Sequence, residues 1–174
     1  MNLNKAINDL LLKIVGNDYN NDSIYFNNEN NITLPNSKDN KFIIINELYS
    51  IPKTALVYNN NKVDEEQQEV DVTSKQIIEI FIQVDFYSNT SDYIAINNSS
   101  KFAVALQSYI ATSILKEQGF SIGKAESPKN TTLVMDTDNY ICRYSVKFSV
   151  FSLSELAISI EGFNTIDAHF FMEK

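Results

Sequence analysis

The sequence predicts an α+β fold, a single domain with a mainly antiparallel sheet of long strands, one main helix and a short N-terminal helix packed on the sheet. Two long stretches alternate between apolar and polar residues, which is typical of strands with one buried face. Two other stretches repeat apolar residues at helical spacing. A length of 174 residues, with 44% hydrophobic and 21% charged residues, fits one globular domain.

The pattern divides this domain into an N-terminal helix within 1–16, a polar loop over 17–40 and an α+β core over 41–174. Gly16 stands where a left-handed residue is expected to end the first helix. The polar loop has little periodicity and leaves room for one short strand. The first helix is predicted from one apolar stripe: Leu3, Ile7, Leu10, Leu11 and Ile14.

The first half of the core is predicted to be strands joined by a polar segment. Strands are expected from Phe42 to Tyr49 and from Ala55 to Tyr58. The polar run from Asn59 to Thr73 is expected to be a solvated hairpin tip or an extended loop. Strict alternation from Gln76 to Tyr87 predicts a long strand whose core face is Ile78, Ile80, Ile82, Val84 and Phe86.

The second half begins with the main helix, which Asn98, Ser99 or Ser100 could cap and which Gly119 ends. A short apolar island at Leu133 to Met135 precedes the second long alternating stretch. The helix stripe is Phe102, Leu106, Tyr109, Ile110 and Ile114. The predicted core face of the second long strand is Tyr140, Cys142, Tyr144, Val146, Phe148 and Val150, and the pattern repeats at Leu156, Ile158, Ile160 and at Ile166, Ala168, Phe170, Met172.

No set of residues in the sequence supports catalysis or a cofactor. The single histidine, His169, could share a strand face with Asp167, but no nucleophile motif accompanies the pair. Cys142 is interpreted as a small buried hydrophobe, and one cysteine supports neither a disulfide nor a zinc site. The residues from Asp136 to Asp138 open like a calcium loop, but the later ligand positions are wrong. We expect no enzyme, no cofactor and no metal.

Charge and hydropathy exclude two further classes of function. The formal net charge is −8, and no cluster of lysine and arginine is present that could neutralise phosphates, so tight nucleic-acid binding is disfavoured. No apolar run approaches the length needed to cross a bilayer, and the N-terminus lacks the features of a signal peptide. We therefore expect no membrane partner and synthesis in the cytoplasm.

Two groups of residues are candidates for interaction surfaces. Asp64, Glu65, Glu66 and Glu69 form an acidic run that is either a lumen or inter-subunit surface or simply a solvated loop. Phe81 lies on the otherwise polar face of the first long strand, and Phe171 is expected to point away from the core. An unexplained exposed aromatic residue suggests a partner surface.

Four stretches between about residues 41 and 153 carry a resemblance to a known family. They are FIIIN at 42–46 with ALVY at 55–58, IQVDFYS at 82–88, the helix AVALQSYI at 103–110 leading to QGF at 118–120, and YICRYSVKFSV at 140–150. In these stretches the chain resembles the neck or tail terminator (tail completion) proteins of long-tailed bacteriophages.

The resemblance implies a structural virion protein without a cofactor. It would form a ring, commonly a hexamer, that caps the head-proximal end of the tail tube, stops tube polymerisation and joins the tail to the neck or head connector. The implied partners are further copies of the chain, the tail tube protein and the neck or connector protein, with the sheath as a further candidate. DNA would pass without specific binding, and carboxylates from Asp64 to Glu69 in the lumen would keep it sliding.

Two alternatives stay open from the residues. One is another head–tail joining or minor tail protein, which would share this composition and habit of assembly. The other is a small soluble binding module or an enzyme of unknown substrate, which would show a concave pocket near His169 or Tyr140 and be a monomer.

Overall fold

Two very long antiparallel strands form the centre of the fold. β4 (Glu69–Asn89) and β8 (Asn139–Glu161) pair along the whole of β4, from Glu69 opposite Glu161 to Asn89 opposite Ile141. The computed structural model describes residues 2–27, 41–53, 57–64, 69–89, 93–136 and 139–161. The other elements are α1 (Leu3–Val15), β1 (Ile24–Phe26), β2 (Phe42–Pro52), β3 (Val57–Asp64), α2 (Ile94–Leu106), α3 (Tyr109–Glu117), β5 (Phe120–Ala125), β6 (Lys129–Asn130) and β7 (Leu133–Asp136).

These strands form one sheet of eight within the described ranges, with β1, β2, β4, β8 and β5 as its main path. Among the described strands, the pair of β1 and β2 is parallel and the other pairs are antiparallel. β2 and β3 pair with successive parts of the same edge of β4, while β5, β6 and β7 line the far edge of β8. At the end where β3 lies, residues 69–75 of β4 and 155–161 of β8 complete a three-stranded arm.

The helices cover one face of the sheet, which we call the inner face. Phe102 of α2 lies with its ring centroid 5.7 Å from that of Phe86 on β4 and 5.8 Å from that of Phe148 on β8. α1 packs against α2 and α3 and buries its apolar stripe in the same core. Each fully buried leucine or isoleucine side chain contributes about 1.5–3 kcal/mol, so this core is the main source of stability.

The predicted fold class is confirmed, and the core faces of the two long strands are confirmed from Ile80 to Phe86 and from Cys142 to Val150. Ile78 is half-buried outside this core, and the side chain of Tyr140 lies outside the description. Ile82, Val84 and Phe86 are buried under the helices, as are Val146, Phe148 and Val150 on β8. Gly119 has the left-handed conformation expected at the end of the main helix, with φ 83°. Gly16 does not: its φ is −62°, because the chain continues in right-handed geometry and the Gly16 N–H donates to the Leu12 carbonyl.

The prediction of one main helix is wrong, because the segment forms two helices separated at Gln107 and Ser108. Ser108 is extended, and its hydroxyl donates to the Ala105 carbonyl at 2.6 Å. Such a local bond competes with helix continuation. α2 also begins earlier than expected, because Ser88 on β4 accepts the Ala95 N–H at 3.1 Å and so caps the helix from the sheet.

The stretch from Asn59 to Thr73 was expected to be a hairpin tip or an extended loop; the extended loop is wrong over 59–64 and 69–73, which are antiparallel strands. β3 extends to Asp64, and β4 begins at Glu69. β4 is paired there by β3 on one side and by β8 on the other. Backbone hydrogen bonds to both neighbours hold this largely polar stretch in a strand, in which Val70 and Val72 alternate with polar residues.

Three further differences concern the length or the number of the strands. β2 continues past the expected end at Tyr49 to Pro52. The expected separate strand at Leu156, Ile158 and Ile160 is the second half of β8. β5 was not predicted, although Phe120 and Ile122 alternate with polar residues directly after Gly119. The short strand expected within the polar loop is β1, and the predicted C-terminal strand lies outside the described residues.

Candidate interaction surfaces

The sheet face opposite the helices, which we call the outer face, carries a buried carboxylate. Asp85 on β4 is only 1% exposed. It accepts hydrogen bonds from four side chains on β4 itself and on its two neighbours β2 and β8, namely Arg143 Nη2 at 2.8 Å, Gln83 Nε2 at 2.9 Å, Asn46 Nδ2 at 3.1 Å and Ser145 Oγ. A buried carboxylate is stable only when it is paired and hydrogen-bonded in this way.

Arg143 is the cation of this network. Burial opposes its charge, but the hydrogen bond and ion pair with Asp85 outweigh burial and raise the pKa of the guanidinium. The guanidinium carbon also lies 5.6 Å from the centroid of the Tyr87 ring, within the range of a cation–π contact. Burial raises the pKa of Tyr87 in turn, so that phenol is neutral at pH 7. The network therefore fixes the side chains that cross the middle of the outer face.

A second carboxylate on the outer face, Glu79, lies nearer the arm. It is paired with a lysine, Lys53. Its oxygens lie 2.7 Å from Lys53 Nζ and 2.7 Å from Ser149 Oγ, which donates to it. The bond to Lys53 and the bond from Ser149 hold the pKa of Glu79 below its ordinary value, against the effect of burial. Ser149 Oγ also accepts the Lys124 N–H at 3.2 Å, which joins β4, β8 and β5 through one hydroxyl.

Apolar residues surround these polar networks and are exposed. Phe81, one of the predicted partner-interface residues, is half-buried on the outer face. Its ring stacks on Tyr49 with centroids 4.5 Å apart, and Tyr49 is 53% exposed. Ile51, Ile77 and Leu153 are also exposed. We call Tyr49, Phe81, Ile51, Ile77 and Leu153 the outer-face patch.

A small pocket of about 180 Å³ opens beside this patch. Tyr49 and Phe81 form its aromatic wall, and Lys124, Glu126 and Lys147 form its charged wall. Lys129 lies 2.8 Å from Glu126 and lowers the pKa of that carboxyl. The pocket thus offers an aromatic surface and charged groups to the same ligand.

Sequence reasoning missed Tyr49 because of an irregularity in β2. Simple alternation from Phe42 would place Leu48 on the outer face. The pairing of β2 with β4 shifts between Glu47 and Tyr49, so Tyr49 lies opposite Phe81 instead. No local signal in the sequence marks this shift, since it depends on the partner strand.

The helices carry a second exposed apolar surface. Val104 on α2 is 72% exposed, Tyr109 at the start of α3 is 83% exposed, and Ile110 is also exposed. Val104 and Ile110 line an open groove of about 600 Å³ together with Lys101, whereas Tyr109 does not line it. We call Val104, Tyr109 and Ile110 the helix patch. The sequence placed Tyr109 and Ile110 in the buried stripe, which is wrong because the break at Ser108 turns α3, and Ala111 and Leu115 are buried instead.

The structure describes two residues of the acidic run, Asp64 and Glu69, at the end of the arm. Asp64 ends β3 and lies opposite Glu69, the first residue of β4. Glu65 and Glu66 fall outside the described residues, as do Phe171, His169 and Asp167. The pairing places the first and last residues of the acidic run opposite each other, and the role predicted for the run stays a prediction.

The described residues contain no group of three or more histidine, cysteine or acidic side chains that could hold a metal ion. Cys142 is half-buried and packs against the core, as its place in the alternation predicted. No helix in the described ranges is long and apolar enough to cross a membrane.

Comparison with known proteins identifies the class to which this domain belongs. A family profile described as phage neck terminator protein matches residues 1–174, the whole chain. A search of curated proteins gave no match. The family is a structural one, and a neck protein is a component of the virion. The resemblance drawn from the four stretches of sequence is thereby confirmed: the chain belongs to the phage neck terminator protein family.

Proposed function

We propose that this protein forms a closed ring, hexameric in the assembled particle, at the head-proximal end of the phage tail tube. The ring stops polymerisation of the tube and joins the tail to the neck or connector. The observation that carries the proposal is the family match over all 174 residues. The activity is mechanical and needs no cofactor.

The geometry of the domain supports an assembly role. Among the described residues, each copy exposes large apolar side chains in two places, the outer-face patch and the helix patch, and grouped exposed apolar side chains are typical of interaction surfaces. The partners proposed are other copies of the chain, the tail tube protein and the neck or connector protein, with the sheath as a further candidate.

Removal of the gene tests this function directly. We expect tails that are assembled but of abnormal length or unable to join heads, because no ring then caps the tube. The control is the same deletion phage supplied with a second, intact copy of the gene, which is expected to restore normal tails. Tails of normal length that join heads without this protein would exclude terminator function.

We further propose that the acidic run faces the lumen of the ring or an adjacent ring. The support for this proposal is the pairing of Asp64 with Glu69, which places the first and last residues of the run opposite each other. Like charge repels passing DNA, and the Debye length of about 8 Å at physiological salt limits the effect to carboxylates close to the duplex. Replacement of Asp64, Glu65, Glu66 and Glu69 with lysine is expected to slow DNA ejection.

A variant with the same four residues changed to glutamine separates loss of repulsion from new attraction. The glutamine variant is expected to eject DNA faster than the lysine variant, since it provides no cation to hold phosphates. Equal ejection by wild type and both variants would show that the run does not face the DNA. A particle reconstruction with this run on the outer rim would show the same.

A further inference from the structure

Each copy of the chain presents its two apolar surfaces on opposite sides. Phe102 points from α2 onto the sheet, and Val104 lies about 200° further around the helix, so it points away from the sheet. The outer-face patch lies beyond the sheet, on the other side of the core. One surface therefore cannot cover the other within a single copy.

The two surfaces also differ in shape. The helix patch carries a projecting aromatic side chain, because Tyr109 is 83% exposed at the first position of α3. The outer face carries a pocket with an aromatic wall of Tyr49 and Phe81 and a charged wall that includes Glu126. A tyrosine matches such a pocket, since its ring is apolar and its hydroxyl both donates and accepts hydrogen bonds.

We propose that Tyr109 of one copy inserts into the pocket beside Tyr49 and Phe81 of the next copy, so that the helix patch and the outer-face patch form the contact between neighbours in the ring. A second copy is the occupant because one kind of contact then covers both surfaces: each copy offers its helix patch to one neighbour and its pocket to the other. Unlike surfaces on opposite sides produce head-to-tail contacts, which close into a ring when the rotation between copies permits. The inference rests on the proposed ring and specifies its interface.

Tyrosine residues that fill central pockets are typical hot spots of protein interfaces. Tyr109→Ala is therefore expected to weaken association between copies by about 30-fold or more. Tyr49→Ala is expected to weaken it similarly, because it removes one wall of the pocket. Tyr93→Ala is the matched control: Tyr93 is equally prominent at 69% exposure but lies about 20 Å away, at the other end of α2.

The decisive experiment mixes two full-length variants, Tyr109→Asp and Tyr49→Asp, and measures mass by light scattering and sedimentation up to millimolar concentration. Both residues are exposed, and circular dichroism confirms that the variants fold. Each variant alone is expected to be monomeric, and wild type to assemble. The mixture is expected to stop at a one-to-one dimer, because one intact helix patch still meets one intact pocket. Wild-type tails imaged in particles report separately whether the ring exists.

The outcomes separate the interface from the function. If either variant alone assembles as wild type does, or if the mixture rebuilds larger rings or forms no dimer, the proposed contact is wrong even where particles show a ring. Variants that assemble normally but no longer attach to tail tubes would assign the surface to the tube protein instead. If wild-type protein forms a ring neither at millimolar concentration nor in particles, both the proposed contact and the proposed ring are overturned.

Discussion

Removal of the Asp85 carboxylate is expected to be among the most damaging single changes outside the apolar core. Asp85→Ala leaves the guanidinium of Arg143 without its partner, although that side chain keeps 24% of its surface exposed. It also takes the acceptor from Asn46 and Gln83, which are half-buried. Ser145 retains an alternative partner, because its hydroxyl lies 2.8 Å from Thr131 Oγ1.

The magnitude follows from these environments. Breaking a buried ion pair by removing one partner costs about 3–5 kcal/mol. The partial exposure of Arg143 and the alternative partner of Ser145 place this case at the lower end, at about 3 kcal/mol. With a urea dependence of about 2 kcal/mol per molar, the midpoint of unfolding falls by about 1.5 M.

Urea unfolding of four proteins measures the effect: wild type, Asp85→Ala, Arg143→Ala and the double variant. The double variant is expected to be more stable than the sum of the two single effects predicts, by at least 1 kcal/mol, because neither charge is then left alone. Asp85→Ala that loses less than about 1 kcal/mol, or two single effects that simply add, would contradict the assignment of Asp85 and Arg143 as a coupled pair.

Three other changes test other parts of the fold. Phe102→Ala removes the ring between β4 and β8, and a loss of about 3–5 kcal/mol is expected in the same urea assay. Gly123→Ala would place a Cβ 2.3 Å from Ser149 Oγ, and a loss of about 1–3 kcal/mol is expected, whereas no loss would show that Ser149 can move freely. Glu79→Gln tests pH dependence: the folded pKa lies below 4.5, so the carboxylate stabilises the fold above pH 4.5 and this contribution disappears as pH falls through the folded pKa. Unfolding measured from pH 7 downwards is expected to show wild type approaching the variant below pH 4.5, and a constant difference would contradict the bond to Lys53.

The parts of the fold that were predictable are those in which local pattern and burial agree. Phe86 was placed correctly because alternation over the whole of its strand leaves one possible core face. Tyr109 was misplaced because helical periodicity was extended through Ser108, whose hydroxyl bond to Ala105 is a local detail that periodicity does not contain. Cys142 packs against the core where the alternation of its strand placed it. Gly119 has the left-handed backbone conformation that was predicted for the end of the helix.

The parts that were not predictable depend on partner strands. The part of the arm from Glu69 to Lys75 is a strand paired by both β3 and β8. Val70 and Val72 alternate with polar residues there, but this short pattern does not contain the identity of the two partner strands. Asp85 is a second case that depends on partner strands. The sequence pattern predicts a solvated residue on the polar face of a strand, but side chains from β2 and β8 bury it. Tertiary neighbours decide both cases.

The neutralised carboxylates make the outer face suitable for burial against another protein. Asp85 is already paired with Arg143, and Glu79 with Lys53, so a partner that covers them leaves no charge unpaired. An interface that had to desolvate lone carboxylates would lose much of the gain from its apolar contacts. The exposed rings and aliphatic side chains around them, with Tyr49 at the most exposed position next to the pocket, then provide the driving force for association.

A variant that breaks one of these ion pairs without unfolding the domain, such as Lys53→Met, is therefore expected to weaken assembly of the ring even though Lys53 need not contact the neighbouring copy. Sedimentation of this variant beside Lys116→Met, an exposed lysine of α3, measures the effect, and equal assembly by the two variants would show that neutralisation of Glu79 plays no part.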